Sequence, residues 1–310
     1  MLLICDCGST KAEWALLDGE IVVKRFITNG FNPNINDNEA IRNVIIEAKN
    51  IIDNQTVGKI FFYGSGCGTE ANQNKVAMIL AMAFKINDIE VCPDTLAACH
   101  ALFGNNPGIA CILGTGSNAC VFDGDKITES VASLGFMLGD EGSGCHIGKH
   151  IVHDYFYKIM PDDLRLKFVE KYHLDRAAFL KRVYQGEAPS RYLAEFARFA
   201  AENIENQYVK DTVSSCFEEF FLSFRLTESF SSFRPESGPQ PSFRPTAGSG
   251  EISDFSTPLR FARNDKIGFV GSIAFVFQDI LLQVLENHNI KCSKILKNPM
   301  DGLVEYYKNL

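Results

Sequence analysis

Asp6 follows an apolar run, Leu2-Leu3-Ile4-Cys5, and stands just before a turn of small and hydroxyl residues, Gly8-Ser9-Thr10-Lys11. About a hundred residues later the pattern returns, with Ala110-Cys111-Ile112-Leu113 leading into Gly114-Thr115-Gly116-Ser117-Asn118. Turns of this kind aim backbone N–H groups and a hydroxyl at one spot, which is what a polyphosphate requires. A carboxylate at the first turn can hold Mg2+, usually through water. Asp94 ends another apolar segment and opens a helical one. A carboxylate at a strand's C-terminal edge faces the crevice where α/β sheets bind ligands. There it can take the proton from a substrate hydroxyl as a general base, and it can equally cap the helix.

Two further segments carry chemistry. Leu134 to Gly144 is too rich in glycine and acid for a core element, and its Asp140 suits a hydrogen bond from a sugar-like polyol. Gly271-Ser272 joins a strand to a helix and lets a nucleoside approach the backbone closely. After the glycine-rich run come His146, His150 and His153, the first two on one helical face. No Glu stands between them in the metalloprotease arrangement, so they read as capping or solvated histidines.

The elements that must position these residues alternate. Both glycine turns continue into a second apolar run that ends at Asp-Gly, Asp18-Gly19 and Asp123-Gly124, the strongest local signal for a tight hairpin. The first hairpin unit covers roughly 2–28, and a polar loop runs from Thr28 to Asp37. Helical spacing predicts helices over Asn38 to Asp53 and Glu70 to Phe84, and one opened by Asp94. Strands are expected at Lys59 to Tyr63 and Ile89 to Cys92, with Gly64 to Gly68 as a loop. Ser143 to Phe224 reads as mainly helical. A strand follows at Ile267 to Val270, a helix from Ser272 to Asn287, a strand from Ile290 to Leu296 and a short helix after Pro299. Gly104-Asn105-Asn106-Pro107-Gly108 is the best boundary. Residues 1–107 and 108–297 are therefore expected to form two domains, followed by a C-terminal helix, 298–310. Residues 227–264, rich in Ser, Pro, Gly and Arg, repeat Ser232-Phe233-Arg234-Pro235 as Ser242-Phe243-Arg244-Pro245. They are expected to be a disordered insertion, because such a segment cannot bury enough surface to offset its ordering entropy.

Composition bounds the function. The 310 residues carry a formal charge of −8 and no basic cluster, which argues against nucleic acid. No apolar run approaches the roughly 20 residues that span a bilayer, and the N-terminus enters a strand with no secretory pattern, so a cytoplasmic location is expected. The ten cysteines include no Cys-x-x-Cys. Cys5-x-Cys7 lies in a strand and is expected to point its thiols to opposite faces. The set reads as reduced, buried thiols.

Taken in order, these motifs resemble the sugar kinase/actin/Hsp70-like ATPase fold, and more closely the BadF/BadG/BcrA/BcrD ATPase-like family, which includes N-acetylglucosamine kinases. The resemblance covers the chain outside 227–264, and Gly139-Asp140-Glu141-Gly142-Ser143 is its most specific match. It implies an α/β protein of two duplicated actin-like (ribonuclease H-like) ATPase domains around a central cleft. By the resemblance, Gly8, Ser9, Thr10 and Lys11 form the first phosphate motif, with Asp6 for the metal. Gly114, Thr115, Gly116 and Ser117 form the second, and Gly271 and Ser272 the adenosine motif. Asp94 would be the base, and Asn32, Thr115, Asn118 and Asp140 would line a hexosamine site. The activity implied is transfer of a phosphoryl group from MgATP to the 6-hydroxyl of an amino sugar, N-acetylglucosamine first, by a homodimer. Where the animal kinase has Trp before the Gly-Asp-Glu-Gly-Ser segment, this chain has Leu134. Two alternatives stand beside this: an ATPase that activates a redox partner, whose Lys-Cys-Ala-Ala-Gly-Thr-Gly pattern is missing here, and a non-catalytic sugar sensor.

Overall fold

The computed structural model describes all residues except 54, 132, 133, 225, 227–265, 309 and 310. The insertion expected at 227–264 lies outside the described residues. The chain opens with three antiparallel strands, β1 (Leu2–Cys7), β2 (Lys11–Asp18) and β3 (Ile21–Asn29). Helix α1 (Asn38–Ile52) follows, then β4 (Lys59–Gly64), α2 (Glu70–Phe84), β5 (Ile89–Pro93) and α3 (Asp94–Phe103). A second set begins with β6 (Gly108–Leu113), β7 (Ser117–Phe122) and β8 (Ile127–Ser130). Next come α4 (Gly135–Leu138), α5 (Gly144–Phe156), α6 (Asp162–Tyr172), α7 (Arg176–Gln185), α8 (Pro189–Ala194), α9 (Ala197–Glu202) and α10 (Gln207–Ser223). The described chain ends with β9 (Ile267–Val270), α11 (Ser272–Val276), α12 (Gln278–Asn287), β10 (Cys292–Leu296) and α13 (Met300–Lys308).

The strands build two five-stranded sheets in the orders β3-β2-β1-β4-β5 and β8-β7-β6-β9-β10. These are one topology used twice: an antiparallel meander whose first strand also pairs in parallel with a fourth, and the fourth with a fifth. The α/β fold is therefore a duplication. Asp18-Gly19 makes the expected tight turn, with Gly19 at φ +57°. Asp123 accepts the N–H groups of Asp125 and Lys126 at 2.9 and 2.8 Å and closes the matching turn.

Local chemistry explains the helices. Asp37 caps α1 by accepting the Ala40 N–H at 2.8 Å, and Ile41, Ile45, Ala48 and Ile52 bury one face. Each such branched side chain contributes about 1.5–3 kcal/mol on leaving water. That face packs with α2 on the first sheet, around Leu3, Trp14, Phe31 and Phe62. The other face of the first sheet carries α3 and α13, through Ile4, Ala15, Tyr63, Ala97, Ala101 and Leu303. Helix α3 then turns Ala98, Cys99, Leu102 and Phe103 to Ala110, Cys120, Phe122 and Val270 of the second sheet. The far side of the second sheet is covered by α5, α6, α9, α10 and α12.

Three details differ from the sequence reading. Ser272 to Asn287 is two helices, because Phe277 leaves the helical region (φ −104°, ψ 27°) while its ring is buried. The last strand starts at Cys292. Cys5 and Cys7 share one face of β1 and one core with Cys67, since strand residues two apart point the same way. All ten cysteines are free, and burial pushes the thiols of Cys67, Cys92 and Cys145 up to about 12. No helix among the described residues is long and apolar enough to cross a membrane.

Helix α13 lies so close to α3 that a Cβ on Gly302 would sit 2.4 Å from the Ala101 carbonyl. Gly302→Val should therefore destabilise the protein by about 1–3 kcal/mol through overpacking. A urea midpoint equal to that of the parent would show that the two helices do not depend on this contact.

Candidate active site

The C-terminal ends of β1, β4 and β5 lie in register at Cys7, Gly64 and Pro93, and Asp94 is the next residue. Pro93 stands at the N-cap, so Asp94 is the first residue of α3 and does not cap it. Its carboxylate stands beside the backbone N–H groups of Thr95 and of Asp94 itself, whose dipoles favour the charged form. Burial raises its pKa, and these two groups oppose the rise. Asp6 sits across from Glu13 in the β1–β2 ladder. Burial pushes Asp6 up to about 7, the charges of Asp94 and Glu13 add to the shift, and Lys11 opposes it. Lys11 itself reaches Glu13 at 3.6 Å. A desolvated carboxylate raised further by the charge of a second, buried one is the pattern of an acid–base or metal-binding site.

The first glycine turn is closed by a bond from Gly8 N–H to the Lys11 carbonyl at 3.0 Å. The chain at Gly30 packs against it, and a Cβ there would overlap the Gly8 carbonyl. The Ser9 and Ser65 hydroxyls meet at 3.3 Å at the same sheet edge. Asn32 lies behind this edge: its Oδ1 accepts the Asn34 N–H at 2.9 Å and packs on Gly66. One end of Asn32 thus shapes its own loop, and Nδ2 is the end available to a ligand.

The second turn is closed by Gly114 N–H to the Gly116 carbonyl at 2.9 Å. Asp140, at φ +63°, accepts the Ser117 N–H through Oδ1 at 3.1 Å, and its carboxylate fills the space beside Gly116. Burial raises its pKa, while the Ser117 bond and Lys149 oppose the rise. The α5 N-terminus docks on the turn, Gly144 N–H to the Gly114 carbonyl at 2.8 Å and Cys145 N–H to the Thr115 carbonyl at 3.1 Å. Gly271, at φ +132°, presses on the same turn, where a Cβ would come within 2.1 Å of the Leu113 carbonyl. Ser272 beside it is exposed. Asn118 faces the turn with Oδ1 on the Ala119 N–H at 2.8 Å. Ser117 Oγ is buried and has no hydrogen-bond partner, which makes it a candidate for a ligand oxygen.

The candidates thus fall into two groups. Asp6, Gly8, Ser9, Thr10, Lys11, Asn32 and Asp94 gather on the first sheet's edge. Gly114, Thr115, Gly116, Ser117, Asn118, Asp140, Gly271 and Ser272 gather on the second. No hydrogen bond or ion pair recorded among the described residues joins the groups; α3, with Asp94 at its tip, lies between the two sheets. Two cavities contain neither Asp6, Asp94 nor Asp140: one lies behind α3 beside His100, Lys294 and Tyr306, the other between α4, α5 and α7. Sequence reasoning missed Glu13 and Ser65. The signal for Glu13 was a lone acid in the otherwise apolar strand Ala12 to Leu17.

Residues 5–208 match the model of the BadF/BadG/BcrA/BcrD ATPase family. The chain belongs to that family. A provisionally assigned N-acetylglucosamine kinase from Porphyromonas gingivalis is similar over 100% of this chain and 99% of its own, at 32% identity and a TM-score of 0.83. Another from Chromobacterium violaceum matches 99% of this chain and 98% of its own, at 12% identity and a TM-score of 0.69. A ROK family glucokinase from Streptomyces griseus, solved with glucose and AMPPNP, matches at 13% identity and a TM-score of 0.57, covering 99% and 98%. At these identities the last two show the actin-like fold alone. No curated protein sequence matches the chain.

The raised Asp6 carboxyl has a sign that can be checked on this family member freed of metal with a chelator. Folded Asp6 holds its proton up to about 7, whereas an unfolded Asp releases it near 4. The folded state therefore binds more protons across that window, and stability falls as pH rises through it. Asp6→Asn should flatten the fall of melting temperature between about pH 4 and 7. An unchanged slope would mean that Asp6 is not desolvated in the metal-free protein.

Proposed function

We propose that this chain is an ATP-dependent sugar kinase that phosphorylates an amino sugar, with N-acetylglucosamine as the first candidate. Membership of an ATPase family supports the nucleotide. The kinship with the Porphyromonas gingivalis protein supports the amino sugar. The observation that carries the reading is the desolvated pair Asp6 and Asp94 beside a glycine–hydroxyl turn whose counterpart recurs on the second sheet.

In this reading the Gly8–Lys11 and Gly114–Ser117 turns offer backbone N–H groups to the ATP phosphates, and Gly271-Ser272 receives the nucleoside. Asn32 and Asn118 offer Nδ2, while Thr115 and Asp140 complete the sugar contacts. Asp94 accepts the proton of the sugar 6-hydroxyl as that oxygen attacks the γ-phosphorus. The bond from phosphorus to the bridging oxygen breaks, and ADP leaves with the electron pair. A raised carboxyl pKa makes Asp94 a stronger base than a solvated Asp. Mg2+ fits the residues present: Asp6 would hold it, relieving the repulsion between two desolvated carboxylates. When bound, it supplies charge neutralisation at the transferring phosphoryl group. Residues 1–107 and 108–297 act as the two halves of the site, and a homodimer is the proposed assembly.

The test is ADP release from purified protein with MgATP against a panel of hexoses and hexosamines, with mass spectrometry of the product. Release that depends on N-acetylglucosamine, with a sugar phosphate formed, is expected. Asp94→Asn should lower kcat by about 10²–10⁴-fold while sugar affinity changes by less than about tenfold. ADP release that no sugar stimulates would favour a partner-activating ATPase, and near-normal turnover by Asp94→Asn would remove Asp94 as the base.

A further inference from the structure

We propose that His146 is a positioning residue for Asp140: its unprotonated Nδ1 accepts the Gly142 N–H and so fixes the loop that presents the Asp140 carboxylate to the sugar. The inference rests on the kinase reading.

The loop from Gly139 to Gly142 does not hold its own shape. Asp140 and Gly142 both have positive φ, +63° and +72°, and a non-glycine residue adopts such a backbone only where its surroundings impose it. Three sets of contacts impose it here. Asp140 Oδ1 takes the Ser117 N–H, and Ser143 N–H turns back to the Asp140 carbonyl at 3.2 Å. Gly142 is wedged on α10, where a Cβ would lie 2.8 Å from that of Phe220. The third contact is His146. Helical side chains lean toward the helix N-terminus, and from the first turn of α5 its Nδ1 reaches the Gly142 N–H at 3.1 Å.

That bond fixes the tautomer. Nδ1 accepts, so the proton sits on Nε2. Nε2 faces His150 Nε2 at 3.3 Å and Glu219 Oε2 at 3.4 Å. A carboxylate beside Nε2–H favours this tautomer. The ring is only 8% exposed. Burial, with the charges of His150 and Lys149, holds its pKa down to about 4. The groups that face it are His150 and Lys149 on its own helix and Cys216 and Glu219 on α10. Of the two roles expected from the sequence, capping or solvated, His146 takes the first, reaching back from the first turn of α5 to the N–H just before its N-cap.

A metal at this place meets an obstacle. His146, His150 and Cys216 offer ligand atoms within 4.8 Å of one another. Ligation through His146 Nε2 would move its proton to Nδ1, where it would confront the Gly142 N–H donor to donor. The Gly142 bond therefore favours a hydrogen-bonded cluster.

The test compares the full chain with His146→Leu, which removes the acceptor, and with His146→Asn, whose Oδ1 falls where Nδ1 was. Hydrogen exchange of peptides spanning 139–145 reads the loop without needing activity. Steady-state kinetics with the accepted sugar read Asp140. His146→Leu should speed exchange there and raise the sugar KM by about tenfold, leaving kcat within about threefold, the signature of lost binding that is uniform along the reaction. His146→Asn should restore both. Unchanged exchange in His146→Leu would overturn the proposal. So would a His146→Asn protein that stays folded but behaves like His146→Leu, or one zinc per chain whose removal alone loosens the loop. If the parent chain phosphorylates no sugar, the kinase reading fails by itself, and the exchange comparison still decides whether His146 holds the loop.

Discussion

Everything in this molecule hangs on α3 being held between two sheets. One face of the helix is small, with Ala97 and Ala101, and lets the first sheet and α13 come near. The other is larger, with Cys99, Leu102 and Phe103, and fills the hollow of the second sheet. Asp94 has a fixed place because the helix that starts with it is gripped on both sides. The grip is polar as well as apolar. Tyr63 of the first sheet bonds His100 of α3 at 2.7 Å and Tyr307 of α13 at 2.5 Å. The His100 ring then meets Tyr306 and Phe122, so one aromatic cluster touches both halves. Burial lowers the His100 pKa to about 4, which keeps the ring neutral and the cluster free of a buried charge.

The duplication supplies two similar edges, and the sequence makes them chemically different. At the first edge the turn is accompanied by acids: Asp6, Glu13 and Asp94. At the second it is accompanied by one bound carboxylate, Asp140, and by close backbone approaches from Gly144 and Gly271. An edge that is crowded with negative charge suits a cation and a proton acceptor. An edge made of backbone donors suits the anionic and polar parts of a ligand. The difference between the edges does not come from the sheets, whose strand orders are the same.

How much of this was legible depended on the reach of each interaction. The glycine turns, the Asp-Gly hairpins and the capping of α1 by Asp37 involve neighbours in the chain, and their residue types announce them. The second sheet's kinship with the first was legible through the repeated turn. The raised carboxyl of Asp6 was not, because it needs burial by the completed fold and the charge of Asp94, which α3 brings from far along the chain. Nor was the role of Asn32, whose Oδ1 is spent on Asn34. For His146 the sequence left capping and solvated roles open, because its partner Glu219 is supplied by α10, more than seventy residues away. The break at Phe277 follows from burial of a ring, which helical periodicity does not register.

Helix α13 carries a consequence for how the chain is made. Met300, Leu303 and Val304 pack with Ile4, Ala15 and Leu17 from the opening strands. A ribosome makes those strands long before their partners in α13. One side of the first sheet, with α1 and α2, closes from residues made early. The opposite side waits for α13 and meanwhile leaves Tyr63 and Ala97 without that cover. Contacts of such long sequence separation are slow to form, and exposed apolar surface during the wait invites association between nascent chains. The first sheet is thus among the later parts to become native, although its strands are made early.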